Sequence, residues 1–507
     1  MSQLKEKIVH GVFWQTLERC GSIGITFVIS VILARLLTPR QFGLVALAAV
    51  LIDIATAIID SGLPKALIQK QDVDETDCNS VFYLNITLGV LMYGIIFPLA
   101  PFIARFYKQT ELTVLTRCIT LSLIITSWGS IQRTMLSKKM LFHLSFKISW
   151  LAQIPAGIIG ILLAYKGFGV WALIIQHLTK DILGTSLLWF FVKWRPQRLF
   201  DFSRLKSLFS FSWKLLVSSI LSTIYNNIYS IIVGKLFVLD TLSFYRRGRH
   251  LPGIGMNLIN HTIGGVLFPA FSKIQNDKAQ MRALARRGLK NIMFLVLPVM
   301  GIFFVIARPL IVILYTEKWL MSATFLQICC FYFVVTPFHT MNLQIITACG
   351  HSDYFLYLEI YKKIEFLLLI VLTYRFGIIV MTCCVAANSY LSAFINGWPN
   401  RKLIGYPPWR QFADIMPLFL IAISAGAITK FFQLQALNNW LQLIVLKMQF
   451  IHTAYQQTVN NWLQLIAGTA IFSTIYFGLA AVTRQIPKDI FTLATKIKSK
   501  FHPVPQA

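Results

Sequence analysis

Acidic residues are scarce in this sequence: 19 Asp and Glu stand against 47 Lys and Arg in 507 residues, a formal net charge of +28. Charged residues of any kind make up 13% of the chain and hydrophobic ones 56%. An ordinary soluble domain carries about a quarter charged residues, so the composition excludes a water-exposed globule and places most of the chain in hydrocarbon. No GxxxxGK(S/T) stretch occurs, which excludes a phosphate-binding loop and ATP hydrolysis of that type. No HExxH and no Cys/His spacing suited to a metal is found, so no metal and no cofactor is expected. The eight cysteines form no CxxC and lie in or beside apolar runs, where they read as small hydrophobes. No long hydrophilic segment interrupts the apolar runs. An outer domain bearing paired carboxylates is therefore missing, which argues against a membrane-embedded transferase or polymerase and against an enzyme altogether.

Long apolar runs dominate what is present. A bilayer span needs about 20 mostly apolar residues, and fourteen runs qualify, near 12–34, 42–62, 80–104, 113–132, 148–165, 168–192, 211–234, 243–269, 291–307, 322–347, 356–374, 377–396, 412–429 and 462–483. The first lacks a small-residue cleavage site and reads as an uncleaved anchor. The Asn85 sequon "NIT" falls inside an apolar run and carries no glycan. With the N-terminus inside, segments such as "KWRPQRLFDFSRLK" and "SKIQNDKAQMRALARRGLK" are cytoplasmic, and Lys and Arg favour the inner side by about two to one. Both termini are then cytoplasmic. "NNWLQLI" occurs at 438–444 and again at 460–466. The first copy soon meets Lys447 and His452 and reads as an interfacial insertion on the outer side.

A weak internal repeat appears at an offset of 200. "ARLLTPRQFGLVALA" from Ala34 lies over "GKLFVLDTLSFYRRG" from Gly234. Polar positions correspond as well: Ser22 with Ser222, Thr26 with Asn226, Ser30 with Ser230, Asp60 with Asn260 and Ser61 with His261. An even number of helices per copy gives both copies the same orientation, the parallel repeat found in many transporters. The expected organisation is an N-terminal six-helix lobe (1–205), a C-terminal six-helix lobe (206–405) and two additional helices with a basic tail (406–507).

Charges inside the spans mark the candidate site, because a charge facing lipid costs several kcal/mol. On the first helix Gln15, Glu18, Arg19, Ser22, Thr26 and Ser30 share one face at helical spacing. Asp53, Thr56 and Asp60 share a face of the second. Lys180 and Asp181 sit inside the sixth, as charges of the lumen or as a pair that neutralise each other locally. In "TLSFYRRGRHLPGIGMNLINHTIGG", Arg246, Arg249, His250, Gly253, Asn257, Asn260, His261 and Gly264 form one stripe. Arg247 points about 100° away and is expected to snorkel to the interface. Arginine suits phosphate, since its planar fork donates two bonds and stays charged. Arg19, Arg246, Arg249, His250, Asn226, Asn257, Asn260 and His261 are therefore candidate substrate-binding residues. Glu18, Asp53 and Asp60 are candidates for coupling to H⁺ or Na⁺, because burial raises a carboxyl's proton affinity. Runs of basic residues here set topology rather than bind nucleic acid.

"LARLLTPRQFGLVALA" (33–48), "DSGLPKALIQK" (60–70), "GFGVWALIIQ" (167–176), "FYRRG" (244–248), "FPAFSKIQND" (268–277) and "CGHSDYFLYLEIYKK" (349–363) resemble the polysaccharide transporter family. These are the Wzx-like flippases of the multidrug/oligosaccharidyl-lipid/polysaccharide superfamily. The family's usual Gly-x-Tyr-Asn-Arg-Ala is altered here to Ser243, Arg246 and Gly248 at its first, fourth and last positions. The resemblance implies an all-α bilobed membrane bundle with a central cavity and alternating access. It further implies movement of polyprenyl-phosphate- or pyrophosphate-linked oligosaccharides across the bacterial plasma membrane, for lipopolysaccharide, capsule or exopolysaccharide synthesis, with polymerase and export machinery as possible partners. A multidrug or cation-coupled antiporter and a peptidoglycan-precursor flippase of the same superfamily are the alternatives.

Overall fold

The computed structural model describes the backbone of residues 2–487 except positions 61, 71 and 448–452. Side chains are described for most of these residues, but not for 2–13, 15, 16, 433–457 and a few single positions, His261 among them. Every regular element among the described residues is helical. Two compact units divide the chain, residues 1–243 and 244–507.

The first unit contains α1 (Ser2–Leu36), α2 (Pro39–Asp60), α3 (Leu63–Gln69), α4 (Glu75–Tyr107), α5 (Leu112–Ile119), α6 (Leu121–Ser127), α7 (Ser130–Lys138), α8 (Phe142–Tyr165), α9 (Val170–Phe191), α10 (Phe202–Leu236) and the start of α11 (Leu239–Lys273). The second continues α11 and adds α12 (Lys278–Val305), α13 (Ala307–Tyr315), α14 (Met321–Val334), α15 (Thr336–Ala348), α16 (Ser352–Thr373), α17 (Ile378–Gly397), α18 (Asn400–Leu403), α19 (Pro408–Lys447) and α20 (Thr453–Val482). Ten of the described helices are long and apolar enough to cross a membrane, or eleven if the bent run α5–α7 is one span. Of comparable length, α9, α11 and α16 carry more polar residues along them, and together these helices account for every run expected from the sequence. The run α5–α7 bends by 48°. α10, expected to open a second lobe, packs on α2, α3 and α4 and belongs to the first unit.

The scarce acids are used where helices begin. Asp201 accepts from the Ser203 and Arg204 amides at 2.8 and 3.3 Å. Asp277 accepts from the Ala279 and Gln280 amides at 2.9 Å each. Asp74 and Asp77 form a reciprocal capping box at α4. Such caps satisfy amides with no intrahelical partner and favour the positive end of the helix dipole.

The α4 cap is part of a larger cluster. Lys70 pairs with Asp77 and Arg204 with Asp74. Trp194 Nε1 donates to Glu75 Oε2 at 2.8 Å, and Lys138 Nζ donates to the Leu67 and Lys70 carbonyls at 3.0 and 2.6 Å, closing the end of α3. Beneath them Leu63, Leu67, Val81, Phe82, Ile131 and Leu205 form a common core. The Asp77 amide, and then Arg204, hold the Asp74 carboxyl below its ordinary value of 3.8. Its stabilising effect is therefore complete above that value and is lost as pH falls through the lower, folded-state value. Asp74→Ala is expected to cost about 1 kcal/mol at neutral pH. Thermal melts of wild type and variant should converge on acidification; a gap that widens toward acid would remove this role.

The duplicated "NNWLQLI" segment has a definite structure in its first copy. Residues 438–444 continue α19, which runs unbroken for 40 residues. At 1.5 Å per residue that is roughly 60 Å, about twice the hydrocarbon thickness. The insertion is thus a helical extension of a spanning element. On α20, Phe472 and Tyr476 are buried, and Tyr476 Oη donates to the Phe294 carbonyl of α12 at 3.3 Å.

Candidate functional site

In the first unit α2, α6, α7, α9 and α10 enclose a polar chamber of about 430 Å³. From α2 come Thr56 and Asp60; Arg133 projects from α7, His177 and Asp181 from α9, and Ser219 from α10. Asp181 Oδ2 lies 3.4 Å from His177 Nε2, and its Oδ1 lies 3.6 Å from Lys180 Nζ. Hydroxyls cover much of the remaining wall. Thr126 and Thr134 donate to the carbonyls of Ser122 and Ser130 at 2.7 and 2.8 Å, and Ser127 to that of Leu123 at 2.7 Å. A hydroxyl whose hydrogen is committed to its own helix presents lone pairs to the lumen. The wall is consequently rich in acceptors, with one guanidinium set among them. This arrangement can hold a proton or cation against the carboxylates and hydrogen-bond the donors of a sugar.

Asp53 and Asp60, expected on one face of α2, are both exposed. Asn227 Nδ2 of α10 donates to Asp53 Oδ2 at 3.3 Å and to the Thr223 carbonyl at 3.1 Å. Its neighbour Asn226, the expected site residue, is exposed. Glu18 accepts from Ser149 Oγ of α8 at 3.0 Å. One turn further, Gln153 of α8 donates to the Ser22 carbonyl at 3.4 Å and also to Thr26 Oγ1. A large part of the α1 stripe is thus a polar seam with α8, the use such residues commonly have between membrane helices. Arg19 is exposed beside it.

The α11 stripe separates into two. Arg246, His250 and Asn257, at steps of four and seven, are exposed. Arg249, Gly253, Asn260 and Gly264, at steps of four, seven and four, face α14 and α15. Arg249 donates to Tyr245 Oη at 2.6 Å, and its guanidinium lies 5.2 Å from the Tyr332 ring and 5.7 Å from that of Phe333. A side chain on Gly253 would meet Phe333, and one on Gly264 would meet Gln344. Asn260 Oδ1 accepts from Thr340 Oγ1 at 3.1 Å. The His261 side chain lies outside the described residues.

Arg247 corrects the expectation of snorkelling. It is 8% exposed and packs over the rings of Tyr315 and Trp319, at 5.0 and 5.3 Å. A buried aromatic cage offers a guanidinium more than an interface does, since the ring faces attract it once water is gone. Arg133 and His177 escaped the sequence reading. Ser122, Thr126, Ser130, Arg133 and Ser137 recur at steps of four, four, three and four, and that stripe was a usable signal. Asp181, for which the sequence leaves both a lumen role and a local pairing with Lys180 open, shares its carboxylate between His177 and Lys180 and lines the chamber.

A family model described as "Polysaccharide biosynthesis protein" matches residues 32–324, more than half of the chain. The protein belongs to this family. The succinoglycan biosynthesis transport protein ExoT of Rhizobium meliloti (strain 1021) is 25% identical over 62% of this chain and 63% of its own. The teichuronic acid biosynthesis protein TuaB of Bacillus subtilis (strain 168) is 25% identical over 86% of this chain and 92% of its own. The lipopolysaccharide biosynthesis protein WzxC of Escherichia coli (strain K12) is 22% identical over 84% and 89%. The chain thus spans just under two thirds of ExoT and nearly all of TuaB. The fold resembles that of the lipid II flippase MurJ in an inward closed conformation, with a TM-score of 0.67, 14% identity and coverage of 91% of this chain and 98% of that one. It also resembles an inward-facing MATE multidrug resistance transporter, with a TM-score of 0.57, 16% identity and coverage of 77% and 94%. The polytopic, all-helical membrane architecture and the family expected from the sequence both hold.

Proposed function

We propose that this protein is a flippase that carries lipid-linked oligosaccharide or polysaccharide units across the bacterial plasma membrane by alternating access. The observation that carries the reading is the polar chamber: carboxylates, a guanidinium and hydroxyls are collected inside a bundle otherwise built for hydrocarbon. Membrane proteins keep such groups where a polar cargo or ion passes. A second cavity suits the lipid part. Met300, Phe304, Phe331, Phe419, Ile423 and Phe472 line an apolar recess of about 290 Å³ in which Lys430 is the one basic residue among the described lining residues. The polyprenyl tail lies there or in the surrounding lipid while the phosphate meets arginine. Arg246, exposed on α11, is the residue assigned to that phosphate in the second unit; Arg19 has the same role in the first. Asn226 and Asn257, also exposed, and His250 are assigned to the sugar.

Reconstitution tests this directly. Proteoliposomes holding a fluorescent polyprenyl-pyrophosphate oligosaccharide should show protein-dependent loss of inner-leaflet label. Arg246→Ala should weaken apparent affinity about tenfold, the loss of one charge-assisted bond. Transport of a cationic dye without movement of the lipid-linked sugar would instead establish the antiporter reading.

Asp60, and Asp53 through Asn227, are assigned to coupling with H⁺ or Na⁺. Asp53→Asn and Asp60→Asn should each reduce the response to an imposed ion gradient. Should both variants track pH and Na⁺ as the wild type does, coupling lies elsewhere. For topology, tags at the N-terminus, at 278 and at the C-terminus should report cytoplasm, and one near 455 the outside. A cytoplasmic report at 455 overturns that orientation for the final pair of helices.

A further inference from the structure

A cavity of about 710 Å³ in the second unit lies between the first three turns of α12 and the end of α20. Five cationic side chains line it: Arg282, Arg286, Arg287 and Lys290 from α12, and Arg484 from beyond α20. Arg282, Arg286 and Lys290 recur every four residues, which sets them on one face. Among the described residues, no carboxylate lines the cavity. Asp414 of α19 pairs with Arg286 and is itself held by Tyr406 Oη at 2.9 Å, so Arg286 is partly neutralised and fixed in place. The chamber described above uses none of these residues.

The backbone supplies a second observation. Arg484 adopts a left-handed conformation, φ 54°, in the turn that closes α20, where its amide donates to the Ala481 carbonyl at 3.1 Å and the next amide to the Ala480 carbonyl at 2.9 Å. Glycine is the usual residue at such a cap, because a side chain there is strained by about 1 kcal/mol or more. This turn brings the fifth positive charge to the cavity.

We propose that this cavity binds the headgroup of an anionic phospholipid in the adjoining leaflet, which is the cytoplasmic one if the N-terminus is inside. A headgroup with two phosphodiesters, of the cardiolipin class, matches the charge better than one with a single phosphate. Basic recesses at the ends of membrane helices bind such headgroups through ion pairs and bidentate guanidinium bonds. Bound there, the lipid clamps α20 to α12, and so ties an accessory helix to the rest of the unit.

The test uses the purified full-length protein in a neutral detergent and measures binding by native mass spectrometry. The probes are cardiolipin, phosphatidylglycerol, phosphatidylcholine and inorganic pyrophosphate. Cardiolipin should bind best, phosphatidylglycerol less, and the other two at background. A triple variant, Arg282→Gln with Arg287→Gln and Lys290→Gln, should lose about a hundredfold in cardiolipin affinity, at roughly fivefold per cation. Arg286 is left intact to preserve its pair with Asp414. Arg484→Gly separates fold from ligand. It should melt at the same temperature as the wild type or higher, since the strained turn relaxes, and yet bind cardiolipin about fivefold more weakly. Pyrophosphate binding as strong as that of cardiolipin overturns the lipid assignment. Unchanged cardiolipin affinity in both variants overturns the site.

Discussion

Arg247→Ala is expected to be the most damaging single arginine substitution in the 244–250 stretch, through folding rather than transport. The side chain is buried against Tyr315 and Trp319, both themselves fully buried. Truncation removes a desolvated cation–π contact of about 2 kcal/mol and opens a void along the side-chain stem, for a loss of about 3 kcal/mol in all. Solubilised Arg247→Ala should show a sharply lowered melting temperature and reduced membrane abundance, whereas Arg246→Ala should keep both and lose cargo affinity. Arg247→Met refines the test. It restores stem volume without charge, so recovery of most of the loss by Met assigns the effect to packing and leaves little for the ring–cation contact. Equal stability of the Arg246 and Arg247 alanine variants would refute the cage.

Gly248→Ala is expected to be nearly as costly, although alanine is the residue implied by family resemblance at this position. A β-carbon here would stand 2.7 Å from the Ser322 carbonyl oxygen, 2.7 Å from the Leu326 amide nitrogen and 2.7 Å from Phe325 Cβ. Two of those are backbone atoms of α14, so no side chain can swing aside and the helix itself must move. Overpacking of this kind costs about 1–3 kcal/mol. The chain is built around a close approach of α11 to α14 at this glycine. Gly248→Ala should lower the melting temperature, and a smaller residue at Phe325 should not rescue it, because the backbone contacts persist. Full stability of Gly248→Ala would show that α14 shifts freely.

Length and hydropathy made the spans legible, because hydrocarbon imposes about 20 apolar residues wherever a helix crosses it. The same rule could not show the 48° bend between α6 and α7, which leaves the apolar content unchanged. Helical spacing puts Arg246, Arg249 and His250 on one stripe, whereas in the structure Arg246 and His250 are exposed and Arg249 meets Tyr245, Tyr332 and Phe333. It could not show that the stripe is shared between an exposed edge and the seam with α14 and α15, since periodicity gives an angle and not a neighbour. Arg247 failed for that reason: the direction 100° away holds Tyr315 and Trp319 rather than water. On α1 the same limit applies, where Glu18 and Thr26 meet Ser149 and Gln153. The chamber was half legible. Asp60 and Thr56 stand out in an apolar helix, but Arg133 and His177 come from helices whose polar residues join them only when α2, α7 and α9 converge.

One pair of contacts joins positions 200 apart in two different ways. Gly43 on α2 lies where a β-carbon would be 2.7 Å from the Leu239 carbonyl, while Ser243 on α11 donates its hydroxyl to the Pro39 carbonyl at 2.6 Å. Residue 43 meets 239 and residue 243 meets 39, so the two touches join the same pair of positions at an offset of 200. One touch is made by leaving out every side-chain atom, the other by adding an oxygen. What the two touches share is therefore a path for the backbone and not a chemistry along it. Exchanging the two residues breaks this in either direction: serine at 43 has no room before Leu239, and glycine at 243 removes the hydroxyl that donates to the Pro39 carbonyl.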